Sequence, residues 1–107
     1  MEKFKTGASK EIGGKGRCDL LPACALLRVS HHMEDVVSTG KYEERDWEKG
    51  LPLHTMIDSA QRHLLKYVDG WADEDHLVAA ATNLLMALWT EEKHPELTDI
   101  GPKNRGR

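Results

Sequence analysis

The sequence predicts an all-α protein, a small helical bundle with three main helices that is completed by oligomerisation. Apolar residues recur at spacings of three and four in three separate stretches, and glycine or proline ends these stretches, as in amphipathic helices. The chain has 107 residues but only three Trp, two Tyr and one Phe, so aliphatic side chains must supply most of its core. Because so small a bundle has little core to spare, we expect a dimer or tetramer.

Composition excludes several classes of protein. The net charge of −3 argues against general nucleic-acid binding, which requires a basic excess for phosphate contacts. Cys18 and Cys24 form a single C-x5-C pair that matches neither a zinc finger nor a disulfide framework, so we expect free, reduced thiols. There is no apolar leader and no run long enough to span a bilayer, which predicts a cytoplasmic protein with no membrane partner.

Three regions follow one another along the chain. Residues 1–17 combine lysines with a GGKG run and show no hydrophobic period, which predicts a flexible N-terminal arm. The GGKG run lacks the preceding strand and the remaining residues of a phosphate-binding loop. Residues 18–97 form the predicted all-α domain, and residues 98–107, which combine glycine, proline and charge, form the predicted C-terminal tail.

The first helix is predicted from Asp19 to Ser38, with Pro22 in its first turn. Its apolar stripe consists of Leu26, Val29, Met33 and Val36. Glu34 lies beside this stripe, from where it can reach a groove between helices. His31 and His32 suggest a metal site, but neighbouring helical residues point about 100° apart, which favours two solvated histidines.

The connector, which we define as Lys41–Pro52, is longer than a helix-to-helix link requires. It concentrates charge and aromatic residues, and such loops often carry binding function. A binding surface is therefore one interpretation. An ordinary solvated loop, with Trp47 folded back onto the core, is the other.

The second helix is predicted to begin at Pro52 and to end at Asp69-Gly70. Asp58 and Arg62 stand four residues apart on it, which favours an intrahelical ion pair. His63 falls at the edge of the buried stripe rather than in water.

The third helix is predicted to have Asp73 as its N-cap, and the acidic residues that follow suit the positive end of the helix dipole. His76 and Asn83 are polar residues seven positions apart on one face of an otherwise apolar helix, either at an exposed edge or in a groove. If helices two and three form an antiparallel hairpin, His63 lies near His76, and Asp58 lies near Asn83. Such a polar seam, which also includes Arg62 and has Asp73, Glu74 and Asp75 clustered at one end, suits a divalent metal and phosphates.

Four motifs occur in a recognisable order: GKGRCDLLPACAL, the connector KYEERDWEKGLP, the Arg62-His63 pair, and DEDHL leading to Asn83. Together they resemble the phage and bacterial dATP/dGTP diphosphohydrolase family, a MazG-like branch of the all-α nucleotide pyrophosphohydrolases. The resemblance implies an oligomeric bundle that uses Mg²⁺ or Mn²⁺ to hydrolyse purine deoxynucleoside triphosphates to monophosphates. Asp73-x-x-His76, followed by Asn83, resembles the second acidic motif of that superfamily in altered form, and the segment from Asp58 to Arg62 corresponds to the first.

The resemblance and the residue chemistry together predict a site. The predicted catalytic residues are Asp58, Asp73 and His76. The predicted metal ligands are Glu34, Asp58, Asp73, Asp75 and His76. The predicted substrate-binding residues are Lys41, Arg45, Trp47, Lys49, Arg62, His63 and Asn83. In this hypothesis the basic residues contact phosphates, Trp47 stacks on the base, and Asn83 orients the ligand or its sugar.

A second hypothesis belongs to a different class of protein. The chain lacks an intact E-x-x-E on its second helix and has Ala79 where relatives often have histidine. These departures favour a non-catalytic phage helical module for nucleotide binding or protein–protein interaction. The connector and the segment from Asp73 to His76 favour the enzyme, because a purely structural hairpin requires neither.

Overall fold

The computed structural model of the protein describes residues 2–10 and 13–102. Its helices are α1 (Ala23–Ser38), α2 (Leu53–Val68) and α3 (His76–Lys93). A short antiparallel ribbon of β1 (Glu2–Lys3) and β2 (Ser9–Lys10) precedes them, with Glu2 opposite Lys10. The predicted all-α fold with three main helices is confirmed.

The predicted start of the first helix was wrong. Cys18–Leu20 forms a separate 3₁₀ turn, and α1 begins at Ala23, immediately after Pro22. The cause is local, because a residue that precedes proline is pushed out of the helical region. Leu21 is accordingly extended, with φ −77° and ψ 140°. The predicted end of this helix at Ser38 is confirmed.

The N-cap of α3 also differs from the prediction. Asp75, not Asp73, caps the helix, and its side chain accepts a hydrogen bond of 3.2 Å from the backbone N–H of Val78. The carboxylate of Asp73 lies 2.6 Å from Nε2 of His76 instead. Composition could not distinguish the two, because each aspartate has the chemistry of a cap and only the path of the turn decides which one is in position.

The core lies between α2 and α3. Its central residues are Leu53, Met56 and Ala87, with Ile57 and Met86 packed against them. Among the described residues, α2 contributes three buried side chains and α3 seven, whereas α1 contributes none. The α2–α3 hairpin is therefore the packed unit, and α1 covers one side of it.

One ion pair ties α1 to the hairpin. Arg28 of α1 donates to both carboxylate oxygens of Asp75, at 2.9 and 2.7 Å. The same aspartate caps α3, so a single side chain both stabilises the start of that helix and holds α1 beside it.

The connector folds onto the end of α3. Asp46–Lys49 forms a 3₁₀ turn, and Trp47 packs edge-to-face against Trp89, with ring centroids 4.8 Å apart. Gly50 has a φ of +91°, and a Cβ there would lie 2.8 Å from Cδ1 of Leu97. Trp47 thus folds back onto the end of α3 rather than projecting into solvent, and the close approach of Leu97 explains why the connector has glycine at position 50.

The chain beyond α3 contacts the beginning of α2. Asp99 accepts a 2.9 Å hydrogen bond from the backbone N–H of His54 and also contacts the ring of His54.

Of the predicted arm, residues 1, 11 and 12 lie outside the described residues, as do residues 103–107 of the predicted tail. Cys18 and Cys24 are free and exposed, as expected. Within the described ranges, none of the helices has both the length and the apolar character that crossing a bilayer requires.

Candidate functional site

Two histidines face each other across the α2–α3 hairpin. Nδ1 of His63 lies 2.9 Å from Nδ1 of His76, and the ring centroids are 5.2 Å apart. His76 is only 1% exposed. The predicted approach of His63 to His76 is therefore confirmed, and it follows from the antiparallel register across a short turn.

Asp73 fixes the orientation of the buried ring. Its carboxylate oxygen lies 2.6 Å from Nε2 of His76, and an ionised carboxylate can only accept, so Nε2 carries the proton. The hydrogen bond from His76 lowers the pKa of Asp73, which keeps it ionised. In the neutral imidazole, Nδ1 of His76 is then left as a lone pair that points toward His63.

Glu74 completes a cluster of three ligand groups. Its Oε1 lies 3.8 Å from Nδ1 of His63, and one ligand atom from each of His63, Glu74 and His76 lies within 4.8 Å of the other two. Burial lowers the pKa of His63, although the charge of Glu74 opposes the shift. At 2.9 Å, Nδ1–H of His63 donates to the Nδ1 lone pair of His76, and an ion would take the place of that proton, with neutral His63 then protonated on Nε2. In that tautomer both Nδ1 atoms are lone pairs, so these three side chains form a candidate metal centre.

The cluster opens into a cleft bordered by all three helices and the connector. The cleft has a volume of about 160 Å³, far more than the roughly 10–15 Å³ that one water needs. His63 and Glu74 both line it, whereas His76 lies behind them. A ligand in the cleft would therefore meet one imidazole and one carboxylate of the cluster directly.

Five of the predicted substrate-binding residues meet in this cleft. They are Lys41, Arg45, Trp47, His63 and Asn83. Asn83 donates a 2.9 Å hydrogen bond from its amide nitrogen to the carbonyl of Ala79, which leaves its side-chain oxygen as an acceptor. The face of α3 that carries Asn83 thus borders a groove, not only an exposed edge.

The remaining predicted residues are placed elsewhere. Asp58 and Arg62 pair with each other on the exposed side of α2, as the simpler interpretation expected. Lys49 pairs with Asp46 at 2.9 Å. Asp58, Arg62, Lys49 and the exposed Glu34 do not line the cleft, and the expected approach of Asp58 to Asn83 stays a prediction.

Both oxygens of Asp75 are also engaged. They accept the hydrogen bonds from Arg28, and one of them receives the N–H of Val78. Arg28 accordingly lowers the pKa of Asp75 below its usual range. Asp75 thus caps α3 and pairs with Arg28, whereas Asp73 contacts Nε2 of His76.

Sequence reasoning gave no individual role to two residues of the cleft, Glu74 and Tyr42. Glu74 was expected only as part of the acidic cluster at one end of the polar seam, yet it is the carboxylate of the histidine cluster that lines the cleft. Tyr42 is 56% exposed and also lines the cleft, with Nζ of Lys41 5.9 Å from its ring centroid. The signal for Glu74 was its position two residues before His76, and the signal for Tyr42 was an aromatic residue in a charged loop.

Comparison with known proteins identifies a family. The family model described as "dATP/dGTP diphosphohydrolase, N-terminal" matches residues 5–100 of the chain. No curated protein and no solved structure matches it. The family match covers nearly the whole chain, including the cleft and the histidine cluster, and the chain therefore belongs to the dATP/dGTP diphosphohydrolase N-terminal family.

Proposed function

We propose that the cleft binds a purine deoxynucleoside triphosphate and that the protein hydrolyses it to the monophosphate with a divalent cation. The single observation that supports this most strongly is the arrangement of the cleft. The connector contributes Lys41, Arg45 and aromatic rings to its lining, while His63 and Glu74 open into the same space. The family description supplies the substrate class.

The charge of the cleft supports a requirement for a cation. The described lining residues include two cationic side chains, Lys41 and Arg45, against the three carboxylates Glu43, Asp46 and Glu74. Arg45 is moreover ion-paired with Glu48. Such a lining does not by itself neutralise a triphosphate, so a bound cation is needed to bring the phosphates close to Glu74.

The residues present fit such an ion. His63, Glu74 and His76 would hold it, since their ligand atoms converge and Asp73 keeps the Nδ1 lone pair of His76 directed into the cluster. When bound, a divalent cation supplies Lewis-acid charge at the phosphate oxygens. The buried position of His76 keeps the ligand group in place without the substrate.

The other lining residues would bind and orient the nucleotide. Lys41 has no ion pair among the described residues and is the cation most available to the phosphates. Tyr42 offers an exposed ring on which a purine can stack. The side-chain oxygen of Asn83 can accept a hydrogen bond from a purine amino group or a sugar hydroxyl.

Trp47 has a different role in this proposal. Its contact with Trp89 anchors the connector, so it positions Lys41 and Tyr42 rather than acting as the only stacking surface. This modifies the sequence hypothesis, in which Trp47 itself stacked on the base.

Product analysis tests the proposal. The purified protein is incubated with dGTP or dATP and with Mn²⁺ or Mg²⁺, and the nucleotides are separated by anion-exchange chromatography. We expect metal-dependent monophosphate, a KM raised several-fold in Lys41→Ala, and no change in Lys93→Ala, an exposed lysine on the last turn of α3. Absence of turnover of either nucleotide by folded protein would contradict hydrolysis.

One observation favours the non-catalytic module as a second candidate. Asp58 and Asp75 are committed to arginines, which leaves Glu74 as the only carboxylate in the cluster that the described residues form. A binding module would be stabilised by the nucleotide without consuming it. A ligand at 100 times its Kd adds about 2.7 kcal/mol to the free energy of unfolding, which thermal unfolding with dGTP detects.

A further inference from the structure

We propose that His63, Glu74 and His76 form a nitrogen-rich metal site that selects Mn²⁺, Co²⁺ or Zn²⁺ over Mg²⁺, with Asp73 as a positioning residue and not a ligand. The inference rests on the proposed function for what the ion does in the cleft. Its test uses the metal alone.

The distances allow a shared ion. Ligands that each lie about 2.0–2.2 Å from one ion can be no more than roughly 4.4 Å apart. The two Nδ1 atoms are 2.9 Å apart, and the widest separation in the cluster is within 4.8 Å, only slightly beyond this limit. The Glu74 side chain is 40% exposed, so a small rotation can bring its oxygen into range.

The fold positions the two Nδ1 atoms of His63 and His76 before any metal binds. His63 and His76 belong to two helices that pack against each other, and the ring of His76 is buried. Asp73 accepts from Nε2 of His76, the outer-shell contact that orients metal-bound histidines and fixes their tautomer. Because that contact occupies the nitrogen that faces away from His63, Asp73 reaches the ion only through the ring.

The donor set determines the selectivity. Mg²⁺ prefers oxygen ligands and keeps most of its waters, so two imidazoles suit it poorly. Imidazole nitrogen favours the first-row transition metals, and affinity rises from Mn²⁺ to Co²⁺. A purely acidic site built from Asp58, Asp73 and Asp75 would instead accept Mg²⁺ readily. Such a site is not assembled here, because Asp58 and Asp75 are ion-paired with arginines.

Access to the site comes from the cleft. His63 and Glu74 line it, so an ion can arrive from solvent without opening the hairpin.

The alternative explanation is a hydrogen-bonded histidine pair that only stabilises the α2–α3 interface. That alternative predicts no selective metal binding.

Metal titration of the full chain without nucleotide distinguishes the two. Co²⁺ binding is followed by its visible absorption, and Mn²⁺, Zn²⁺ and Mg²⁺ are compared by calorimetry. We expect one ion per chain and affinity for Mn²⁺ at least tenfold higher than for Mg²⁺. Equal affinity for Mg²⁺ and Mn²⁺, or no Co²⁺ binding by folded protein, would overturn the proposal.

Variants locate the site. His63→Ala and Glu74→Gln change groups that line the cleft, and we expect each to lower Co²⁺ affinity at least tenfold. The matched controls are His31→Ala and Asp35→Asn, exposed residues of α1 that we expect to bind Co²⁺ like the wild type. Co²⁺ affinity that is unchanged in His63→Ala would place the ion elsewhere.

Asp73 is tested by the spectrum as well as by affinity. Loss of an outer-shell partner typically costs 10–100-fold in metal affinity. We expect Asp73→Asn to weaken Co²⁺ binding in this range while the band positions stay close to those of the wild type, and Asp73→Glu to recover part of the affinity. A band shift as large as that of Glu74→Gln would make Asp73 a ligand and contradict its positioning role.

The two proposals fail in different ways. Selective Co²⁺ and Mn²⁺ binding without nucleotide turnover would contradict the hydrolase alone. Turnover supported equally by Mg²⁺ and unaffected by His63→Ala would contradict the nitrogen-rich site alone.

Discussion

The two sides of the cleft are built differently. On one side, α2 and α3 contain all ten of the buried side chains that the three helices contribute within the described residues, and His76 is 1% exposed. On the other side, α1 has no buried residue, and the connector is largely exposed and joined by ion pairs within itself, such as Lys49 with Asp46.

This difference indicates a division of labour. The packed hairpin holds the histidine cluster, and the proposed metal site requires a geometry kept within a fraction of an ångström. Two cations of the connector, Arg45 and Lys49, pair with carboxylates whose side chains are about a third exposed or more, and such ion pairs contribute little to stability. A phosphate can therefore replace Glu48 as the partner of Arg45 at small cost, whereas no group can replace His76 without disturbing the core.

The largest expected effect comes from the hairpin. His76→Ala removes a buried ring and leaves Asp73 and His63 without their partner, so the free energy of unfolding should fall by about 2–5 kcal/mol. Urea denaturation followed by circular dichroism measures it. His31→Ala, at an exposed position of α1, should change stability by less than about 0.5 kcal/mol. An equal fall in the free energy of unfolding of the two variants would show that the packed and the exposed side do not differ in stability.

Trp47→Ala tests the anchor of the connector. It removes the edge-to-face contact with Trp89 and part of the burial of Trp47, so we expect a loss of about 1–2 kcal/mol. Stabilisation by dGTP should weaken at the same time, because Lys41 and Tyr42 lose their position. Phe4→Ala, an exposed aromatic residue between β1 and β2 that does not line the cleft, should leave dGTP binding unchanged in the same thermal measurements. A normal dGTP response in Trp47→Ala would show that the connector needs no anchor.

Asp75 joins the two sides, and two substitutions separate its roles. Asp75→Asn can still cap α3 but loses the charge that pairs with Arg28, whereas Asp75→Ala loses both. We expect Asp75→Ala to be less stable than Asp75→Asn by about 1 kcal/mol, the usual value of an N-cap. Urea midpoints measure the difference. Identical stability would mean that Asp75 acts only through Arg28.

The smallest effect is a pH dependence. Arg28 lowers the pKa of Asp75 in the folded protein below its ordinary value of 3.8. The unfolded chain therefore binds a proton at Asp75 more readily than the folded protein does. The stability that the charge of Asp75 adds is present in full above about pH 4 and is lost as the pH falls through the folded pKa. The advantage of the wild type over Asp75→Asn at pH 7 should shrink at pH 3 in urea titrations. An advantage that is constant over this range would exclude the charge of Asp75 as its source.

Helix periodicity was enough to predict the all-α fold and the facing of His63 and His76. The spacing of apolar residues is a local property of the chain, and a short turn leaves an antiparallel hairpin little freedom of register. The same local rules predicted the Asp58–Arg62 pair. They failed at the start of α1, because Pro22 pushes Leu21 out of the helical region.

The sequence by itself therefore determined three helices, their apolar faces and the facing of His63 and His76 across the hairpin. Only the tertiary structure decided which of three consecutive acidic residues does what: Asp73 positions His76, Glu74 faces the cleft, and Asp75 caps α3 and binds Arg28. These side chains belong to a turn without helical period, where the backbone path sets each direction separately. Arg28 lies 47 residues away from Asp75, and no local spacing rule reaches that far.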